Sequence, residues 1–351
     1  MDWIRGERPA LWRHLAGRTI GILGYGNQGR AQALNLRDNG IQHGFEVVVG
    51  ARPGGAGEAR ARADRFECVT PAELALRTRI VVCLLPDEIH GEVLVRDVFP
   101  ASLTGKRGAA RAGEAPLLCL AHGFSLVFGG LVPPPEWDVV LAAPTGPGQQ
   151  LRERFVAGDG LPGVAAAYQD ASGVARDRAL ALAQGVGLLR RGIHWTTIEN
   201  ETVVDLFGEQ AALCGGLIAL TEAAFDTLVE RGYPEELAYT ECIEQISVTA
   251  DLLSRFGPDG MRRRISPTAL YGELTRGPRV INRQVRQAMA EVLDEVASGR
   301  FGREWMDDVA RGRKRLRELL EKAGKHRASG TFSRLQRLRD GSSAGSSDGR
   351  P

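Results

Sequence analysis

Through the first half of the chain, apolar residues come in short unbroken runs with polar or glycine-rich stretches between them. The segments "GRTIGILGYGNQGRAQALNLRDNG" (17–40), "FEVVVGAR" (45–52), "RIVVCLLPDE" (79–88), "APLLCLAHG" (115–123) and "WDVVLAAPTGPG" (137–148) each hold one such run. Runs of four to eight apolar residues bounded by turn residues are the signature of strands buried on both faces. The first continues into a glycine turn and a helix. "GVAAAYQDASG" (163–173) is a candidate for one more strand. Strands alternating with helices predict a parallel, doubly wound sheet, so residues 1–197 are expected to form a Rossmann-type α/β domain.

After about residue 197 the period changes. "ETVVDLFGEQAALCGGLIALTEAAFDTLVERGY" and "PEELAYTECIEQISVTADLLSRFG" repeat their apolar positions every three to four residues. Gly232 and Pro234 mark the end of one helix and the start of the next. "VRQAMAEVLDEVASGRF" and "ARGRKRLRELLEKAG" extend the pattern. An all-helical domain is expected over 198–335, with a Gly/Ser-rich disordered tail over 336–351. The basic stretch 311–339 has no interleaved aromatics and reads as a solvated helix face rather than a nucleic-acid surface.

Composition adds little to this. A formal charge of +2 in 351 residues gives no reason to expect nucleic acid. The N-terminus has no apolar signal core, and no run is read as long enough to span a membrane, so a cytoplasmic protein is expected. Cys68, Cys83, Cys119, Cys214 and Cys242 contain no CxxC pair. They read mostly as small core residues, and a zinc site is not expected. Of 45 basic residues only Lys106, Lys314, Lys322 and Lys325 are lysine.

Two features carry chemistry. "GYGNQG" matches GxGxxG at Gly24, Gly26 and Gly29, between a strand and a helix and ahead of a second strand. There the glycines allow a tight turn, close approach of the backbone to a pyrophosphate, and packing of helix on strand. A ligand-free glycine turn is the competing reading. Arg52, with no acid beside it, ends the second strand, and Arg60 follows. An arginine there suits a 2′-phosphate, so NADPH is expected ahead of NADH. The second feature is the pair Asp205 and Glu209, four residues apart, echoed by Glu241 and Gln245. Each pair occupies one helix face. Either pair alone is more often a solvated face. Acids within an apolar sequence call for a partner, and carboxylates suit a hard cation such as Mg²⁺.

With these stretches in hand, the chain resembles the short class of ketol-acid reductoisomerases from about residue 13 to about 310. The resemblance rests on "GYGNQGRAQALNLRDNG", "LLPDE", "LAHGF", "APTGPG", "YQDASG", "VVDLFGEQAALCGG", "ECIEQ", "ISPTALYG" and "GPRVI". It implies conversion of acetohydroxy acids to 2,3-dihydroxy acids in branched-chain amino-acid synthesis, by an alkyl shift and then hydride transfer. It also implies NADPH, two Mg²⁺ ions, and a homodimer whose active site uses both chains. By position, Asp205 would bridge the metals, Glu209 would bind one, and Glu241 from the partner chain the other. His122 would lie near substrate and cofactor, and Ser266 would meet the substrate carboxylate. Gly24, Tyr25, Gly26, Asn27, Gln28, Gly29, Arg52, Leu85, Pro86, Asp87, Glu88 and Gly148 would line the cofactor.

Five positions depart from the family pattern. Thr145 replaces a lysine, Gln245 a glutamate, and Leu270 an acid before Tyr271, while Gly55 and Gly57 stand where hydroxyl residues are usual. Losing one positive and one negative charge at Thr145 and Gln245 is a balanced change. It places the isomerase half of the reaction in question, because alkyl migration leans on Lewis-acid stabilisation more than hydride transfer does. Three readings follow: the family's reaction, an NAD(P)H reductase of another carbonyl, imine or ring substrate in specialised metabolism, or a non-catalytic NADPH-binding relative. Retention of His122, Asp205, Glu209, Glu241 and Ser266 weighs against the third.

Overall fold

The structure, a computed structural model, describes residues 2–104 and 114–340. Lys106 and residues 341–351 of the expected tail lie outside the described residues. The chain divides into two compact units, Met1–Val204 and Asp205–Pro351.

The first unit holds the strands β1 (Asp2–Ile4), β2 (Thr19–Leu23), β3 (Glu46–Gly50), β4 (Cys68–Val69), β5 (Ile80–Cys83), β6 (Leu117–Leu120), β7 (Asp138–Pro144), β8 (Gly163–Gln169) and β9 (Ile193–Trp195). They form one sheet in the order β1-β9-β8-β7-β6-β5-β2-β3-β4. Its helices are α1 (Asn27–His43), α2 (Ala56–Ala63), α3 (Pro71–Arg77), α4 (His90–Val93), α5 (Phe99–Thr104), α6 (Phe124–Val127), α7 (Gly148–Val156) and α8 (Ala175–Gly185). Successive strand residues point to opposite faces and feed two separate cores. Ile80, Val82, Leu117 and Cys119 join the cluster that includes Leu36 and Leu182. Val81, Cys83, Leu118 and Leu120 join the one around Leu74 and Trp137. Both faces are covered, so the run of apolar residues is continuous.

The expected all-parallel sheet needs one amendment. Strands β2 to β7 pair in parallel, but β7 with β8 and β1 with β9 are antiparallel. Helix α7 connects β7 to β8, yet β8 returns as an antiparallel neighbour, unlike the β2–α1–β3 unit, where one helix joins parallel strands. Beneath it, Arg178 donates to Asp138 at 2.6 Å and to the Ala115 carbonyl at 2.8 Å, and both side chains are buried. Strands β2 and β5 adjoin although five elements (α1, β3, α2, β4 and α3) separate them in sequence. The chain therefore runs outward in both directions from β2, which places a switch point at its carboxyl end, where dinucleotides bind in such sheets.

Helix α9 (Ile198–Gly208) leads into the second unit. A π turn over Glu209–Leu213 joins it to α10 (Gly215–Glu230). Next come α11 (Glu235–Tyr239), a second π turn over Thr240–Glu244, α12 (Ile246–Arg262), α13 (Pro267–Val280), α14 (Arg283–Ala297), α15 (Arg300–Ala310), α16 (Lys314–Gly324) and α17 (Arg327–Arg339). The helical reading of this half holds, with three corrections. Ile198–Glu230 is one continuous run of 33 residues, long and apolar enough by composition to cross a membrane, contrary to the expectation that no run is. The π turn makes it so, by joining two helices that a break would have kept short. Helix α17 runs to Arg339, so residues 336–339 are helical and not tail. Stretch 311–339 is also not simply a solvated face. Arg334 pairs with Glu235 and Glu236, and Arg339 grips Glu244 through two bonds of 2.7 and 2.8 Å, pinning α17 onto α11 and the second π turn.

Candidate functional site

In the first unit the glycine loop has the form that a dinucleotide needs. Gly24 has φ of 97°, a conformation that side chains resist, and a Cβ on Gly29 would lie 2.2 Å from the Gly24 carbonyl. Gly26, the residue before α1, has open space where a Cβ would be. The turn is thus compressed where helix meets strand and open where a phosphate would approach. Its walls are tied down. Tyr25, buried, donates to Asp64 at 2.9 Å, and Arg30 grips the same carboxylate at 2.6 and 3.0 Å. Arg30 holds the Asp64 carboxyl below its ordinary range, while burial, and after it the Asp64 bond, pushes the Tyr25 phenol up. Gln28 donates to the Gly146 carbonyl at 2.8 Å, and a Cβ on Gly148 would lie 2.2 Å from the Asn27 carbonyl. The "APTGPG" loop therefore rests directly on the glycine turn. Arg52 is exposed beyond the end of β3, and Arg60 donates to the Tyr25 carbonyl at 3.0 Å.

A cluster of titratable groups follows β5, which adjoins β2, and β6, the next strand out. His122 Nδ1 donates to Asp87 Oδ2 at 2.8 Å, because an ionised carboxylate can only accept. This bond engages Nδ1, so Nε2 is the ring nitrogen turned to the rest of the cluster. His90, buried just beyond, donates from Nε2 to the Leu85 carbonyl at 2.9 Å and accepts from Ser125 at 3.0 Å. Burial lowers its pKa, so it is a neutral structural post. Pro86 enters this turn with Leu85 and Asp87, and Glu88 follows, so these four stand together at the end of β5.

Glu201 is the residue that sequence reasoning missed. It is buried, and one of its carboxylate oxygens lies within 4.8 Å of a ring nitrogen of His122. The local cause is Gly123. A Cβ there would sit 2.1 Å from Thr202 Oγ1, so α9 starts flat against the "AHG" turn and Glu201 lands beside His122. Thr202 secures the contact by donating to Ile198 O at 2.7 Å. The signal was available. Glu201, Asp205 and Glu209 repeat at intervals of four, and the series extends one step toward the N-terminus.

Asp205 stands one turn past Glu201 on α9, and Glu209 opens the first π turn, with Cys214 N donating to Glu209 O at 2.8 Å. Glu241 lies in the second π turn. All three acids are exposed in the single chain, although their sequence neighbours are apolar. Those neighbours are themselves largely exposed, Leu213 at 67% and Ile218 at 56%. Among the described residues of the second unit, Asp205, Glu209 and Glu241 do not converge on one point. Gln245 has a definite partner: its amide donates to Glu241 Oε2 at 2.7 Å. Thr145 donates to the Pro162 carbonyl at 2.9 Å, and Ser266 accepts from Ala269 N at 3.2 Å as the cap of α13.

The donor sets fit the groups that the sequence suggested. Open space over Gly26 and a helix N-terminus suit a pyrophosphate, and Glu201, Asp205 and Glu209 along one face are oxygen donors of the kind Mg²⁺ takes.

Known proteins match this layout. The family model described as "Acetohydroxy acid isomeroreductase, NADPH-binding domain" matches residues 14–192, and that of "Ketol-acid reductoisomerase, C-terminal domain" matches 198–340. The chain is 42% identical over 312 residues to the ketol-acid reductoisomerase (NADP(+)) of Akkermansia muciniphila, spanning 89% of this chain and 91% of that protein. It is 42% identical over 333 residues to that of Pyrobaculum calidifontis, spanning 95% and 97%. Among solved structures, an NADH-preferring ketol-acid reductoisomerase from an uncultured archaeon superposes with a TM-score of 0.87 at 36% identity, covering 96% of this chain and 99% of the other.

Proposed function

The chain belongs to the ketol-acid reductoisomerase family, and from that premise we propose an NADPH-dependent, Mg²⁺-assisted reductase of 2-keto and acetohydroxy acids, serving branched-chain amino-acid synthesis in the cytoplasm. That it is an NAD(P)H-dependent oxidoreductase follows from the family itself. The single observation that supports the site is the His122–Asp87 pair at the ends of β6 and β5, next to the strand that carries the glycine loop.

Each residue then has a task. The Gly24–Gly29 loop and the start of α1 hold the pyrophosphate, while Gly146 and Gly148 close the loop from the side. NADPH supplies the hydride when bound. Asp87 fixes the His122 tautomer, so that Nε2 can take or return a proton at a substrate oxygen. Asp205 and Glu209 are the residues to hold Mg²⁺, which when bound polarises the ketol oxygen. Ser266 keeps its hydroxyl proton for a substrate carboxylate, since only its oxygen is used in capping α13.

Glu241 is supplied by a second copy in this proposal. A homodimer also accounts for the exposed apolar positions of the helical unit: Leu213, Ile218, Val248, Tyr271, Leu274 and Val280 are all more than half exposed in the single chain. That surface is the better explanation of the apolar run Ile198–Glu230, of whose hydrophobic window only 11% is buried.

The reductase half of the reaction is the stronger. Gln245 brings no charge to the metal and is occupied with the Glu241 carboxylate. One Mg²⁺ should bind better than two. The test is NADPH oxidation with acetolactate and, separately, with its pre-rearranged 3-hydroxy-2-keto isomer, each with and without Mg²⁺. The expected result is faster turnover of the rearranged isomer. No turnover of either would refute the proposal, and equal rates would restore full isomerase activity to it.

A further inference from the structure

The Asp87–His122 pair joins two turns, one after β5 and one after β6, and a second histidine that the proposed reaction leaves unused binds the same two turns to each other. His90 opens α4 with its side chain buried. Its Nε2 donates to the Leu85 carbonyl at 2.9 Å, in the turn after β5. Its Nδ1 lies 3.0 Å from Ser125 Oγ, in α6 after β6. A carbonyl only accepts, so Nε2 carries the proton of the neutral ring and Nδ1 accepts from the Ser125 hydroxyl. Ser125 is itself buried and fixed: its carbonyl accepts from Leu131 N at 2.9 Å, and a Cβ on Gly129 would lie 2.8 Å from its Cα. The other turn is closed by Ile89 N, which donates to the Pro86 carbonyl at 3.1 Å.

Asp87 stands between the two rings. Its Oδ2 meets His122 Nδ1 at 2.8 Å, while its Oδ1 is 3.9 Å from His90 Nδ1, too far for a hydrogen bond. With Nδ1 of His90 filled by the serine proton, the carboxylate is left to His122. We propose that His90 is a positioning residue for the reaction: it links the turn that carries Asp87 to the turn that carries His122, and so sets the bond that aims His122 at the substrate. The inference rests on the role given to His122 under the proposed function. The Asp87–His122 bond tolerates little drift of either turn, and misplacing a reacting group by about 1 Å costs on the order of a hundred-fold in rate.

Simple filling of the interior is the competing explanation, and side-chain chemistry separates the two. An amide, like a neutral imidazole, offers both an N–H donor and an acceptor, whereas leucine offers neither. His90→Gln can therefore bond both Leu85 and Ser125, and His90→Leu can bond neither. Ser125→Ala removes one bond with little change in volume. With the full-length protein, NADPH oxidation is followed on the rearranged 3-hydroxy-2-keto isomer with Mg²⁺, and NADPH binding by tryptophan fluorescence. In His90→Leu and Ser125→Ala kcat should fall about ten-fold or more, while His90→Gln should stay within about two-fold of wild type. KM and the Kd for NADPH should hold within about two-fold in all three. A second readout needs no turnover: NMR of histidine-labelled protein reports the His122 Nδ1 proton, assigned by its loss in His122→Gln. That signal should move or disappear in Ser125→Ala and persist in His90→Gln. Wild-type kcat in a folded Ser125→Ala protein, a His90→Gln protein as slow as His90→Leu, or an unmoved His122 signal in Ser125→Ala overturns the proposal. If His90→Leu does not fold, Ser125→Ala and His90→Gln decide between them. A wild-type chain without turnover, whose His122 signal still moves in Ser125→Ala, refutes the proposed reaction and leaves the positioning of His122 standing.

Discussion

At the scale of single residues, a few short hydrogen bonds fix the orientation of the side chains proposed to meet the substrate. Asp87 is the clearest case. Asp87→Asn keeps the shape but can present an N–H to His122 Nδ1, favouring the opposite tautomer. Steady-state assays should show kcat lower by roughly ten- to a hundred-fold, the usual cost of losing a carboxylate behind a working histidine. NADPH affinity should be unchanged, and a matching loss of NADPH binding would show instead that Asp87 serves the cofactor. Gln245 answers the question its sequence position raised: the amide is a neutral donor to Glu241. Gln245→Glu replaces that bond with repulsion between two carboxylates until a cation neutralises them. Mg²⁺ titration by calorimetry should therefore show tighter or additional binding. Gln245→Glu with Thr145→Lys should raise acetolactate turnover by more than the two single changes combined, since each restores the charge that the other needs. Turnover that ignores all three changes removes the argument from paired loss.

At the scale of elements, the acid-bearing helices are set apart by their π turns, a feature often found at functional sites. In each, one extra residue re-aims the side chains that follow. The first is held open by glycine: a Cβ on Gly216 would lie 2.0 Å from the Ala211 carbonyl. Gly216→Ala cannot be absorbed without reshaping the turn that Glu209 opens, and thermal or denaturant unfolding should report a loss of about 1–3 kcal/mol. The second turn is gripped by α17. Arg334 holds Glu235, and Arg339 holds Glu244, below the ordinary carboxylate range. Groups with depressed folded-state values stabilise fully above their unfolded values and lose that contribution as pH falls through the folded ones. Unfolding followed from about pH 6 to about pH 3 should thus show the grip of α17 weakening in the acidic half, and high salt should weaken it at neutral pH. Arg339→Ala should flatten that acid dependence. An unchanged profile would mean that α17 is held by its apolar contacts around Phe225 and Ala328 instead.

At the scale of the whole molecule, the two units differ in how they bury apolar surface. The first closes two cores around a sheet and carries the buried Arg178–Asp138 pair inside it. Arg178→Met leaves Asp138 charged in an apolar interior and should cost about 3–5 kcal/mol of stability by chemical denaturation. The second unit leaves much of its apolar surface bare in the single chain. Leu213→Lys with Ile218→Lys should convert a dimer into monomers by light scattering and abolish turnover, while NADPH binding persists because the glycine loop belongs to the first unit. A wild-type monomer at micromolar concentration would remove the shared site.

The alternation of the longer strands with helices, the glycine loop, the change from α/β to all-helical texture and the family itself were legible in the residues, while the short strands β1, β4 and β9 were not among the strands read there. Local periodicity and short motifs encode them, and buried parallel strands announce themselves by continuous runs such as "IVVC" and "LLCL". What only the tertiary structure decided depends on contacts between residues far apart in the chain. Glu201 joins the site because Gly123 lets α9 lie flat on a turn some eighty residues earlier. Asp205, Glu209 and Glu241 proved exposed despite apolar neighbours, because sequence proximity says nothing about which face of a helix is covered. The antiparallel return of β8 is seen only in its pairing with β7, and the Glu58 bond to Gly54 only in the bending of one side chain over a helix start. A period of hydrophobicity specifies an element, but a partner is specified only when the chain has folded far enough to present one.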